Sequence, residues 1–92
     1  MKVLHLDTNH PLLLEQFAAL GFENHEDYSS TKEAVEQKIH LYDGIVIRSR
    51  FTIDQQFLDK ATNLKFIGRV GAGLENIDVN YTRQKGIFLA SA

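Results

Sequence analysis

The chain has 92 residues, with ten basic and twelve acidic side chains and therefore a formal net charge of −2. Its 43% apolar and 24% charged residues are typical of a globular domain and exclude a disordered chain. The slight acidity argues against nucleic-acid binding through a basic patch, and the lack of cysteine excludes disulfides and thiolate metal sites. No apolar run reaches the roughly 20 residues of a membrane span, and no signal peptide is recognised. We therefore expect one cytoplasmic domain.

Short apolar runs alternate with helical patterns along the chain. Strands are predicted at 3–6, 45–47, 65–70 and 87–90, because each run is short, apolar or β-branched and bounded by turn residues. The more polar segment 22–28 is predicted as a short edge strand.

Capping signals predict where the four intervening helices begin and end. The first begins near Pro11 with Asn9 as its cap and ends at Gly21. The second and third open with capping boxes formed by Ser30 with Glu33 and by Thr52 with Gln55. The fourth begins after Asn76 or Asp78 and ends at Gly86.

Strands that alternate with helices predict an α/β fold with a parallel sheet. Five strands favour the flavodoxin-like order 2-1-3-4-5, with the four helices as crossovers. A covering helix after the last strand is missing from the pattern. We therefore expect part of one sheet face to be bare, which would favour a homodimer or indicate a truncated chain.

Ligands of open parallel sheets bind at the carboxyl ends of the strands. Arg48 and Arg50 follow the third strand, and Gly71-Ala72-Gly73 follows the fourth, which is its neighbour in the predicted order. Main-chain N–H groups of a glycine loop and planar guanidinium groups both bind carboxylate or phosphate. The alternative reading is an ordinary tight turn with two solvated arginines.

Cofactor and metal signatures are absent from the sequence. The third glycine of a dinucleotide fingerprint would stand at position 76, which is Asn76, so we expect no NAD bound by this chain. His5, His10, His25 and His40 lack the spacing of a metal site. Asp7 lacks the acidic and lysine partners of a receiver domain, and we interpret it as a turn or capping residue.

Four segments together resemble the D-2-hydroxyacid dehydrogenase family. They are IRSR at 47–50, LDKA at 58–61, NLKFIGRVGAGLENID at 63–78 and RQKGI at 83–87. The resemblance covers about the whole chain, is strongest over 44–92, and favours the members that oxidise 3-phosphoglycerate with NAD in serine biosynthesis.

The resemblance implies that residues 1–92 are a truncated substrate-binding domain without its NAD-binding domain. It implies that Val70, Gly71, Ala72 and Gly73 hold the substrate carboxylate through main-chain N–H groups. Arg48 is then expected to bind a phosphorylated hydroxyacid, with Ser49, Arg50 and Arg69 assisting. The family's catalytic His, Glu and Arg have no counterpart here, so we expect the isolated chain to be inactive. A free-standing flavodoxin-like module that binds an anion or signals, without catalysis, is the alternative.

Overall fold

A computed structural model describes residues 1–7, 11–70 and 76–91. Five parallel strands form one sheet in the order β2-β1-β3-β4-β5, which confirms the predicted topology. The strands are β1 (Lys2–His5), β2 (Glu23–Glu26), β3 (Gly44–Ile47), β4 (Phe66–Arg69) and β5 (Phe88–Ser91).

Helices cross over between successive strands, as a parallel sheet requires. They are α1 (Pro11–Ala19), α2 (Lys32–Lys38), α3 (Gln55–Lys60) and α4 (Val79–Gln84), and a short 3-10 helix (Ile39–Leu41) extends α2. Gly21 and Gly86 follow α1 and α4 with φ of 83° and 74°, the left-handed conformation expected where a helix ends. The predicted cap Asn9 lies outside the described residues.

The predicted caps of two helices were wrong. The side chain of Thr31, not Ser30, accepts the main-chain N–H of Ala34 at the start of α2. Asp54, not Thr52, accepts the N–H of Phe57 at the start of α3. At α4 the open choice falls on Asp78, which accepts the N–H of Tyr81.

A local turn explains the first error and a long-range contact the second. The main-chain N–H of Ser30 donates to the Asp27 carboxylate at 2.9 Å, so this residue belongs to a turn that precedes α2. Ile53 forms an isolated bridge with Ile77, and its N–H donates to the carbonyl of Asn76 at 2.7 Å. This bridge keeps the chain extended beyond Thr52, so α3 begins later.

The main core lies on one face of the sheet, beneath α2, α3 and α4. Alternate strand residues point into it, as the period of two requires. Its members include Leu4, Leu6, Ile45, Ile47 and Ile67 from the sheet and Val35, Ile39, Phe57 and Leu58 from the helices, all with no exposed surface.

The opposite face is only partly covered. Phe17 of α1 packs against His5 and Phe66, with ring centroids 5.9 and 6.1 Å away. Beyond it an apolar groove of about 390 Å³ remains, which we call the open face; it is lined by Met1, Phe17, Phe22, Phe66, Gly68, Phe88 and Ala90. Within the described residues no helix covers β4 and β5 on this side. None of the described helices is long and apolar enough to cross a membrane.

Candidate functional site

The carboxyl edge, where the five parallel strands end, brings together the side chains that the sequence predicted as a site. Ile47 pairs with Arg69 across β3 and β4, and the N–H of Val70 donates to the carbonyl of Ile47 at 2.9 Å. Arg48 and Val70 therefore follow neighbouring strands at the same edge. Gly71, Ala72 and Gly73 lie outside the described residues.

Asp7, just beyond β1, holds the loop after β3. One carboxylate oxygen accepts the main-chain N–H groups of Arg48, Ser49 and Arg50, at 2.7, 3.2 and 3.3 Å. A carboxylate that accepts several N–H bonds fixes a loop that no strand pairing supports. The sequence indicated only a turn or capping role, whereas the contact joins residues more than 40 positions apart.

Arg50 is directed inward, and its guanidinium is already bound. It donates to the main-chain carbonyls of Leu6, Asp27 and Ser30, and only 15% of its side chain is exposed. The guanidinium also lies 4.7 Å from the centroid of the Phe51 ring, a cation–π contact. Arg50 thereby ties the ends of β1, β2 and β3 together.

Arg48 differs from Arg50 although the two are separated by one residue. Its side chain is exposed, and no described residue forms a hydrogen bond or ion pair with its guanidinium. Ser49 beside it is also exposed. A free guanidinium presents planar, paired donors that suit carboxylate or phosphate.

Arg69, at the end of β4, is half-buried and also engaged. Its Nε donates to Oδ1 of Asn76 at 3.0 Å, and its Nη1 donates to the carbonyl of Val70. The Val70 N–H donates to the Ile47 carbonyl, so both main-chain polar groups of Val70 are hydrogen-bonded. From the sequence, Asn76 was predicted only as a possible helix cap, and its place in the family segment 63–78 did not indicate these contacts.

Metal ligands do not cluster in the described part of the chain, where no three His, Asp or Glu side chains could share an ion. His5 is buried and contacts Asn24 Oδ1 through Nε2 at 2.9 Å, as a packed strand residue would. His25 lies between Glu23 and Tyr42, with Nε2 2.5 Å from the carboxylate and Nδ1 2.9 Å from the phenol oxygen. These contacts give the imidazole rings of His5 and His25 structural roles.

Similar proteins occur among curated sequences and solved structures. D-3-phosphoglycerate dehydrogenase of Archaeoglobus fulgidus is 33% identical over 92 residues, which is all of this chain and 18% of that protein. The PH0520 protein of Pyrococcus horikoshii superposes with a TM-score of 0.91 at 25% identity, over 99% of this chain and 27% of the other. The NAD⁺-bound 3-phosphoglycerate dehydrogenase of Entamoeba histolytica gives a TM-score of 0.86 at 26% identity, over 99% and 32%.

The chain thus spans less than a third of each of these relatives. A family model described as the catalytic domain of D-isomer specific 2-hydroxyacid dehydrogenases matches residues 3–92. This match and the relative from Archaeoglobus agree with the resemblance carried by the four sequence segments. The chain belongs to the D-isomer specific 2-hydroxyacid dehydrogenase family.

Proposed function

We propose that this chain forms the substrate side of an enzyme that oxidises D-3-phosphoglycerate to 3-phosphohydroxypyruvate with NAD, a step towards serine. Family membership and the similarity to D-3-phosphoglycerate dehydrogenases support the proposal. Residues 1–92 then correspond to part of a substrate-binding domain. A cytoplasmic location stays a prediction.

The observation that carries the proposal is the contrast among the three arginines at the carboxyl edge. Arg50 and Arg69 use their guanidinium groups on main-chain and amide oxygens, whereas Arg48 leaves its own exposed and without a described partner. We assign the phosphate or carboxylate of the substrate to Arg48, with the Ser49 hydroxyl beside it. Arg50 and Arg69 assist by holding the edge in place.

The main-chain N–H groups of Gly71, Ala72 and Gly73 are proposed to hold the second anionic group of the substrate. In the sequence these positions follow Val70, which lies at the same edge of the sheet as Arg48. A substrate with a carboxylate at one end and a phosphate at the other can use both binding elements. Val70 is proposed to assist by anchoring the end of β4 at this edge, through its hydrogen bond to Ile47.

NAD does not fit the described residues. In a dinucleotide fold the helix starts directly after the glycine turn, with its N-terminus on the pyrophosphate. Here β4 ends at Arg69 and α4 begins only at Val79. Among the described residues no helix N-terminus directly follows a glycine turn after β4, and we assign to this chain substrate binding without a hydride-transfer step.

The test is an amide NMR titration of the chain with D-3-phosphoglycerate, with D-glycerate as the unphosphorylated comparison. We expect shifts at Arg48, Ser49 and Gly71–Gly73, larger for the phosphorylated acid. Arg48→Ala should weaken binding about tenfold or more, because a charge-assisted bidentate contact is lost.

Arg83→Ala is the matched control, since it removes one exposed positive charge from α4. It should leave the affinity unchanged. Equal losses in the two variants would indicate unspecific charge attraction and contradict the proposal. NAD-linked oxidation of D-3-phosphoglycerate by the pure chain would contradict its assignment as a substrate side only.

A further inference from the structure

Asn76 uses both ends of its side-chain amide on the carboxyl edge. Its Nδ2 donates to the carbonyls of Phe51 and Arg48 at 3.0 and 3.2 Å. Its Oδ1 accepts the Arg69 Nε–H at 3.0 Å. One planar group is thus bonded to the loop after β3 and to the last residue of β4.

These bonds place Asn76 at a junction. The Arg69 contact joins two positions that bracket residues 70–75, and the main-chain carbonyl of Asn76 accepts the N–H of Ile53 at 2.7 Å. Because the amide is rigid, the separation between the main chain at Arg48 and the side chain of Arg69 is set by its geometry. Loss of the amide would free both elements at once.

We propose that Asn76 is a positioning residue for the substrate site, an inference that rests on the proposed function. It does not touch the substrate but fixes Arg48 against the chain that follows β4. A carboxamide is suited to this task because it donates and accepts simultaneously. An aspartate of the same shape keeps an acceptor for Arg69 but directs an oxygen at two carbonyl oxygens.

Asn63 provides a matched control at the other edge of the sheet. It precedes β4, and its Nδ2 donates to the main-chain carbonyl of His40 at 2.6 Å. It is therefore also an amide that ties a loop carbonyl, but one remote from Arg48. A purely structural role predicts similar consequences for both asparagines.

The experiment measures the affinity for D-3-phosphoglycerate by NMR and the free energy of unfolding in urea for Asn76→Ala, Asn76→Asp and Asn63→Ala. We expect both alanine variants to lose stability, whereas binding weakens about tenfold only in the Asn76 variants, a size typical of lost hydrogen bonds to charged groups. Asn76→Asp keeps the shape and decides the question if Asn76→Ala does not fold. Unchanged affinity in folded Asn76 variants overturns the inference.

A failure of the proposed function can be distinguished from a failure of the inference about Asn76. If the wild-type chain does not respond to D-3-phosphoglycerate, amide hydrogen exchange at 48–51 and Val70 decides the inference without ligand. Exchange there should be about tenfold faster in an Asn76 variant than in wild type and unchanged in Asn63→Ala, because local opening governs exchange. Equal exchange in all variants overturns the positioning role.

Discussion

The carboxylate of Asp7 accepts the main-chain N–H of Arg48 at 2.7 Å, across 41 positions of the sequence. The contact connects the end of β1 to the loop that carries the one exposed arginine of the described carboxyl edge. The orientation of Arg48 is thus supported by its main chain, while its guanidinium stays available to a ligand.

Removal of the Asp7 carboxylate should loosen this loop. Asp7→Ala leaves the N–H groups of Arg48–Arg50 without their acceptor, and we expect a loss of about 1–3 kcal/mol in the free energy of unfolding. Urea unfolding measures the loss, and amide exchange locates it. Glu15→Ala, at an exposed position of α1, should change stability by less than about 0.5 kcal/mol. Equal stability of the two variants would contradict the role of Asp7.

Substitutions at Arg48 and Arg50 should affect different properties: those at Arg48 weaken substrate binding, and those at Arg50 lower stability. Arg50→Ala removes donors from three buried or half-buried carbonyls, with an expected loss of about 2–4 kcal/mol. Arg50→Lys should recover little of it, because an ammonium group lacks the planar fork. Arg48→Ala should stay within about 0.5 kcal/mol of wild type, as is usual for an exposed position. The prediction fails if thermal unfolding ranks the two alanine variants in the reverse order.

The loss of folding stability at acidic pH should depend on Asp27. Burial raises the pKa of its carboxyl, but hydrogen bonds from Lys38 and Ser30 outweigh this, and the resulting pKa lies well below the usual range. The folded state therefore binds the proton less tightly than the unfolded state. The stabilisation is complete above the unfolded pKa of about 3.9 and is lost as the pH falls below it.

Asp27→Asn should flatten this dependence and reduce stability at neutral pH by about 1–3 kcal/mol, because the charged partner of Lys38 is removed. Urea unfolding at several values of pH measures both effects. Asp43 and Asp54 should still contribute to the pH dependence of stability in this variant, because the Lys2 N–H and Lys32 lower their pKa values. Glu33→Gln, on the exposed side of α2, serves as control. An unchanged slope in Asp27→Asn would refute the assignment.

The open face predicts self-association of the chain as a homodimer. Phe88 is 69% exposed on an apolar groove, and burial of such a surface in a second copy is favourable. Phe88→Gln should lower the dimer fraction seen by light scattering. Leu20 is equally exposed at 69% but does not line the groove, so Leu20→Gln should leave the dimer unchanged. A monomeric mass of the wild-type chain at high concentration would exclude this homodimer.

Local patterns in the sequence were sufficient for the element order and the parallel topology. Alternation of apolar runs and helical periods is a property of neighbouring residues, and crossover rules then restrict the sheet order. The helix ends at Gly21 and Gly86 follow from the same local chemistry, because glycine adopts positive φ without strain. The family motif around Arg48 and Gly71–Gly73 likewise depends on residues adjacent in sequence.

Only the tertiary structure shows which polar side chains are already hydrogen-bonded within the chain. Arg48 and Arg50 are indistinguishable by type and nearly by position, yet one is exposed and the other binds three carbonyls from distant segments. Besides Arg69, seven residues away, the Asn76 amide reaches Phe51 and Arg48, 25 and 28 residues away, and Asp7 accepts N–H groups at least 41 residues away. Hydrogen bonds over such separations depend on how strands are placed in the sheet. A local pattern does not contain that information, and for this reason the sequence also misplaced the cap of α3, where the bridge between Ile53 and Ile77 delays the start of the helix.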